Sequence, residues 1–536
     1  MKQQQSPFQE TLAFGCFFVK KLFKMLTYVT ICCAFLSFFD KKSSQNRTFA
    51  TLRTSGLKDY KINRILLGIL ILSCVTSCTL YTKPKIDPIP IPKEYKNKIK
   101  ANNRDLKTAW WQNFHDPKLN SLVDKALKNN LNYQIAIKNI EIARTFVDEN
   151  FSNYFPQVNL NYSSERELLS KNSFTTAQSA LTNNRGSSAS RRFSLHQLNA
   201  SVAYQMDFWN QIGNSVNQAN ADTNAQAANS DIVKLTLISD VTDTYFQLQT
   251  FNEILQNLKD QYQVLNEITK LTDKQYKSGL INIEPINDAK IQEDIVKNNI
   301  LNFSKNQEIL KNTLAYLLGE FPEKFNYDVK NNLKSRDFTQ LIPAGIPSQT
   351  VVLRPDIEQA FYQILSFGYL EKQNIANFLP SFSLTGMYGF ASNNFENFLS
   401  NSSSTWNYGI NALMPVFNYK KLSSQYQRSK IQFDAAVLNY KNVVINSFTE
   451  VDNALSSYKL DYTAYKTYQK TLNYSKEKYY SAKAQYNAGL VNYSSYLNYK
   501  LTYLQDQYNL TSQRLLVYED IIQIYKSLGL GLSGNI

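Results

Sequence analysis

The chain has 536 residues, of which 43% are hydrophobic and 19% charged, with a formal net charge of +15. Residues 1–77 hold eleven Lys/Arg against three Asp/Glu, so about +8 of that excess lies upstream and about +7 is spread over everything that follows. So thin a charge, with no Lys/Arg block, excludes a nucleic-acid-binding footprint. Two histidines, His115 and His196, show no metal spacing, and no cysteine follows Cys78. With no glycine-rich phosphate loop either, the sequence predicts no catalytic residue, metal or cofactor.

Residues 1–60 contain a signal-like run, Met25 to Phe39, behind Lys20, Lys21 and Lys24. A second run follows, with Lys58, Lys61 and Arg64 preceding Ile65-Leu-Leu-Gly-Ile-Leu-Ile-Leu72, too short to span a bilayer and suited to a signal h-region. We read the first run as a translation start assigned too far upstream; the alternative is a genuine second membrane segment. The second run ends in Val75-Thr-Ser-Cys78, which predicts cleavage before Cys78 and lipidation of its thiol. A cut before Cys74 would put bulky Leu72 where a small residue is wanted. The alternative is an ordinary signal peptide whose last cysteine is Cys78.

A proline-rich tether, Lys83 to Pro92, cannot be helical. Leu119, Leu122, Val123 and Ala126 mark one helix face and are expected to begin a helical hairpin ending near Phe151. Four strands of period two are expected in pairs. Val158, Leu160 and Tyr162 alternate with Asn159, Asn161 and Ser163, and Leu198 to Met206 alternate in the same way. Phe382, Leu384, Tyr388 and Phe390 share a face with Gly386, and Trp406, Tyr408, Ile410, Ala412 and Met414 alternate with Asn407, Gly409 and Asn411. Their length approaches that of tilted strands crossing a bilayer, and their second face of Asn, Ser, Gln and Gly suits a wet lumen. A half-buried sheet in a soluble domain has the same period. Four strands cannot close a membrane barrel, which tolerates no open edge, so several chains must share one. Ser/Asn-rich residues 165–193 and 391–405 are expected outer loops.

Gln211 to Tyr276 has no proline and a single glycine, Gly213, and Lys421 to Tyr486 has neither. Each predicts a helix of about 100 Å. Val437, Val444, Val451 and Tyr458 repeat by seven, with Phe448 and Leu455 between, and Ile238, Val241, Tyr245 and Leu248 repeat the pattern, which is coiled-coil spacing. Return helices are expected over 287–318 and 494–528. The two halves are copies. Tyr276-Lys-Ser-Gly-Leu-Ile-Asn282 returns as Tyr486-Asn-Ala-Gly-Leu-Val-Asn492 at an offset of 210, as Ser239 to Asp243 returns as Thr449 to Asn453, and Asn153 to Asn159 returns at 224 as Asn377 to Ser383. A unit of this size is far longer than a solenoid repeat.

From Cys78 to Gly531 the chain resembles the TolC/OprM outer-membrane efflux family in its lipoprotein branch. The resemblance rests on Trp110-Trp111, Phe155-Pro156, Leu314 to Gly319, Pro343 to Pro347, Arg354-Pro355-Asp356, Phe378 to Phe382, Tyr486 to Asn492 and Tyr525 to Gly531 in that order. It implies a homotrimer whose four strands per chain make a transmembrane 12-stranded β-barrel, continuous with a periplasmic α-helical coiled-coil barrel. It also implies a passive duct anchored in outer-membrane lipids, served by a periplasmic adaptor and an inner-membrane efflux pump. The implied division is 1–77 extension and signal peptide, 78–115 tether and equatorial segment, 116–322 first repeat, 323–356 equatorial connection and 357–531 second repeat.

In this family the tunnel closes at the hairpin tips, here the Gly279 and Gly489 turns. Relatives of this branch commonly carry an Asp nine residues after the second glycine, where this chain has Asn498, and a leucine where it has Ser494. Glu284 and Asp288 on the first tip, with Tyr493, Tyr496 and Tyr499 crowding the second, are the alternative gate candidates. The two carboxylates equally fit solvated charges at a helix N-terminus. Small-molecule efflux is the leading expectation. A duct for type I protein secretion and a pore-less, lipid-anchored periplasmic coiled-coil scaffold are its rivals.

Overall fold

A computed structural model of the chain describes residues 82–84, 95–96, 109–168, 170, 192–325, 338, 341 and 354–531. Cys78 with the expected signal peptide, most of the tether, most of the 323–356 connection and the outer part of the 165–193 loop lie outside the described residues.

After a short 3-10 turn, Trp110–Phe114, come α1 (Pro117–Asn129) and α2 (Leu131–Ser152), then strands β1 (Gln157–Leu168) and β2 (Arg192–Met206). The long α3 (Gln211–Lys277) and its return α4 (Glu284–Leu317) complete the first half. The second half contains α5 (Pro355–Ala376), β3 (Ser381–Ser392), β4 (Ser404–Leu413), the long α6 (Tyr419–Asn487) and its return α7 (Tyr493–Ser527). With 67 and 69 residues, α3 and α6 each extend about 100 Å.

The expected hairpin of α1 and α2 does not form. Only Asn130 separates them, too little chain for a reversal, and both lie along α3 instead of along one another. Asp116 caps α1 by accepting from the Lys118 and Leu119 amides, and Asn130 caps α2 by accepting from that of Tyr133. In the half nearer the strands the packing order is α2, α3, α5, α6. Toward the tips α4 and α7 take the places of α2 and α5.

Between these ends lies the main core. Ile238, Val241, Tyr245 and Leu248 of α3 are fully buried, as are Val451 of α6 and Ile521 of α7. Trp110 stacks on Tyr525 at 4.9 Å, and Phe246 on Tyr518 at 4.3 Å, tying the segment before α1 to α3 and α7. The seven-residue periods of α3 and α6 are thus spent inside the chain.

The duplication is preserved in an unexpected latch. In the first half, Asn130 Nδ2 donates to the Leu317 carbonyl at 2.9 Å, satisfying an orphan acceptor at the end of α4. Its positional counterpart at offset 224 is Arg354, whose Nη1 donates to the Ser527 carbonyl, at offset 210 from Leu317, at 2.6 Å. Arg354 is 7% exposed and also pairs with Asp356 and Glu450, each at 2.7 Å. Two residue types do one job, and the second also draws α6 into it.

Candidate functional site

The four strands form one antiparallel sheet in the order β1-β2-β3-β4. Its register joins even-numbered residues to even-numbered ones throughout: Val158 pairs with Val202, Val202 with Gly386 and Gly386 with Tyr408, and one rung further Leu160, Ala200, Tyr388 and Trp406 align. Because side chains alternate sides, this register places every apolar alternation on a single face. The opposite face carries Gln157, Ala203, Thr385 and Gly409 on one rung, Asn159, Ser201, Met387 and Asn407 on the next, and Asn161 paired with Asn199 one rung further. No charged residue of any strand lies on the five apolar rungs between Met206/Phe382/Ala412 and Tyr162/Leu198/Phe390. These rungs expose their side chains: Leu160 is 73% exposed, Tyr408 81% and Ile410 69%. In water such a face would be an aggregation surface; in lipid it is the outer wall of a barrel.

Among the described residues, both sheet edges are unpaired, and so are the helix flanks that continue them. On the β1 side α2 exposes Ile135, Ile142 and Phe146, and α4 exposes Ile291, Ile295 and Ile309. On the β4 side α6 exposes Ile431, Leu438 and Ile445, spaced by seven, on a stripe separate from the buried Val444 and Val451. The sequence reading found one heptad stripe on α6 and missed this second one. A helix with two such seams packs against two neighbours.

At the far ends of the long helices, the two turns have the same construction. Gly279 at φ 72° and Gly489 at φ 73° occupy the left-handed region. The Gly279 amide donates to the Tyr276 carbonyl and that of Leu280 to Gln275; Gly489 and Leu490 repeat this with Tyr486 and Gln485. The tips are not level. Antiparallel α3 and α7 place Asn257 against Leu504, Val264 against Leu497 and Glu267 against Tyr493. Extending that pairing puts the Gly489 turn opposite roughly residue 272 of α3, so the first tip projects about 10 Å further.

The structure separates the gate candidates into two groups. Tyr493 and Tyr496 point between helices of their own chain. The Tyr493 hydroxyl donates to Glu267 Oε2 at 2.5 Å, a charge-assisted bond that pushes its pKa up to about 12, with burial and the nearby Tyr486 adding to the rise. Burial, then the bond and charge of Tyr479, push Tyr496 up to about 12. The rings form a ladder between α6 and α7: Tyr503 stacks on Tyr479 at 5.4 Å, Tyr479 on Tyr496 at 5.9 Å, Tyr496 on Tyr486 at 5.4 Å, and Tyr486 meets Tyr493 at 5.1 Å. Ser494 is half-buried and Asn498 exposed, one turn apart on α7. Glu284 and Asp288, also one turn apart, are exposed on α4, where Asn282 Nδ2 donates to Glu284 at 3.2 Å. Glu267 and Tyr479 were not singled out from the sequence, and Tyr486 only as part of the repeated turn. Glu267 lies 226 positions from Tyr493, and no local pattern links them.

Midway along the helices is a second polar region. Gln247 Nε2 bridges Asp243 and Glu519 at 3.0 Å each, with Asp240 and Lys526 nearby at 3.8 Å from one another. Burial, with the charges of Glu519 and Asp240 against that of Lys526, raises Asp243 to about 7; burial and the adjoining Asp461 raise Asp520 to about 7. Among the described residues no group of side chains suited to a metal ion occurs.

A lipid-facing sheet with a wet reverse, continuous with helices of about 100 Å, defines one protomer of an outer-membrane channel with a periplasmic extension. The family model described as "Outer membrane efflux protein" matches residues 122–320 and 346–530, and the chain belongs to this family. It is similar to the solvent efflux pump outer membrane protein SrpC of Pseudomonas putida, 27% identical over 446 residues covering 78% of this chain and 87% of the relative. It is also similar to the cation efflux system protein CusC of Escherichia coli O6:H1, 24% identical over 485 residues covering 87% and 98%. Among solved structures, the CmeC outer membrane channel of Campylobacter jejuni superimposes with a TM-score of 0.75 at 25% identity, covering 85% of this chain and 96% of that one. The protein is an outer-membrane efflux channel.

Proposed function

We propose that three copies of this chain close a single 12-stranded barrel and helical tunnel, and that small molecules leave through it. The observation that carries this is the pair of open flanks. An unpaired strand cannot face lipid, because its amides and carbonyls would have no partner there. Edge β4 with the Ile431–Leu438–Ile445 stripe of α6 meets edge β1 with the apolar stripes of α2 and α4 on the next copy. Such a contact is head-to-tail and must close as a ring. Twelve strands require three chains. The mass of the complex in mild detergent tests this: three chains are expected, and a monodisperse monomer with full β content would sink the proposal.

The wet strand face, uncharged across the bilayer rungs, has no means of selecting cargo. The fold is also shared by relatives named for solvents and for cations. Choice of substrate then falls to an inner-membrane pump, reached through a periplasmic adaptor at the hairpin tips. Closure at those tips rests on the Tyr493–Glu267 bond, which holds the second hairpin against the first, and on the tyrosine ladder, which ties α6 to α7 within the second. Asn498 and Ser494 face away from that seam, as do Glu284 and Asp288, and are the candidates for the tunnel side.

Lipid anchoring at Cys78 belongs to the same proposal. Lys372 Nζ donates to the Thr82 hydroxyl at 3.1 Å, and Pro84 packs on Gly368, so residues 82–84 lie along the C-terminal half of α5. Four residues of chain reach at most about 14 Å, which suits an acylated Cys78 seated in the inner leaflet. Mass spectrometry of the mature protein should find lipidated Cys78 and no peptide from residues 1–77. A different N-terminus would refute the anchor while leaving the barrel untouched.

A further inference from the structure

Charge on the strands is sorted by face. The lumenal face carries Glu165 and Glu167 at the outer end of β1, and no basic residue on any strand. The lipid face carries no carboxylate on any strand; its charged residues are Arg166 and Arg192, at the outer ends of β1 and β2. The register sets Arg166 opposite Ser194 and Arg192 opposite Leu168, so the two arginines are diagonal neighbours on one face, roughly 7–8 Å apart along the sheet. Both are exposed. Just inside them an aromatic shelf is built onto the same face. His196 meets Phe395 edge-on at 5.4 Å and Phe398 at 6.0 Å, Phe398 meets Tyr162 at 6.0 Å, and Ser164 Oγ holds His196 Nδ1 at 2.9 Å. Phe398 is buried in this shelf while Phe395 is 68% exposed.

From the membrane outward, then, the face runs from apolar rungs through an aromatic belt to a pair of guanidiniums. That order matches a lipid read from acyl chain to headgroup: rings sit at the interface, and arginine engages phosphate through paired N–H donors. The end is the outer one, since the helices leave from the other, so the leaflet concerned is that of the phosphorylated glycolipid covering a Gram-negative cell. We infer that Arg166 and Arg192, with the Phe395/Phe398 shelf, form a binding site for the phosphates of an outer-leaflet glycolipid, repeated on each chain of the ring.

The inference rests on the even face being the lipid wall. It is tested by native mass spectrometry of the detergent-purified complex titrated with diphosphoryl lipid A, its monophosphoryl form, phosphatidylglycerol and phosphatidylcholine. Up to one diphosphoryl lipid A per chain should be retained, at least tenfold more tightly than the monophosphoryl form. Arg166→Gln with Arg192→Gln should lose that preference, the corresponding double Lys variant should keep most of it, and Glu165→Gln with Glu167→Gln on the other face should leave it unchanged. Should the double Gln variant fail to assemble, Arg166→Gln alone is expected to weaken retention about tenfold. Unchanged retention in the Arg variants overturns the site, and equal retention of phosphatidylglycerol overturns the glycolipid assignment. Failure of the complex to float with vesicles would instead overturn the barrel reading itself.

Discussion

Val202 occupies the third of the five apolar rungs, between Val158 on β1 and Gly386 on β3. Each rung advances two residues, about 6.8 Å along the strand. At a tilt near 40° this is about 5 Å of height, so Val202 lies about 10 Å from either end of the band. An arginine there cannot reach an interface without bending the bilayer, and should cost about 2–4 kcal/mol per chain. In a ring of three the penalty becomes about 6–12 kcal/mol for the complex. Ala203, the next residue, pairs with Gln157 and Thr385 on the wet face, where an arginine keeps its hydration. Refolding of Val202→Arg and Ala203→Arg into lipid vesicles, followed by urea titration and by the oligomer band on unheated gels, separates the two. Val202→Arg should fold poorly or at markedly lower urea tolerance, with Ala203→Arg close to the parent. Equal damage at both positions would refute the face assignment.

Tyr493→Phe removes the bond between the hairpins and Glu267→Gln takes away its charge assistance, both keeping the ring stack, so resting conductance in planar bilayers should rise most in Tyr493→Phe and less in Glu267→Gln; parent-like traces in both would release this pair from gating. Asn498→Asp adds three carboxylates to a trimer and should increase block by divalent or trivalent cations from the tip side. Unchanged block would mean that position 498 does not face the tunnel. Asp243 and Asp520, raised from 3.8 to about 7, bind protons more tightly folded than unfolded. Their burial is therefore least costly below about pH 4, and stability should fall as pH rises from there through about 7. Thermal unfolding at pH 5.5 and 8 should show greater stability at the lower pH, with the difference reduced in Asp243→Asn; the opposite order would contradict it.

Much of this architecture is legible in sequence because it is periodic. Alternation from Phe382 to Phe390 and heptads from Val444 to Tyr458 need no tertiary information, and the recurring Gly-Leu turns mark where each long helix reverses. Contacts set by helix register over hundreds of residues are not legible in that way. The Tyr493–Glu267 bond exists because α7 packs on α3 as well as α6, and the sequence does not announce that third helix. Duplication also misleads where it diverges: Asn130 and Arg354 share a role that no residue comparison suggests. The helix signals at Leu119 and beyond were sound, but a hairpin needs a turn, and Asn130 alone is a cap.

The central claim, that these open-edged chains assemble into a conducting duct, is tested most directly by single-channel recording of the purified protein in a planar bilayer. Discrete, stepwise currents from inserted complexes are expected. Protein that floats with vesicles as an inserted complex yet passes no stepwise current, in the parent and in Glu267→Gln alike, would contradict it.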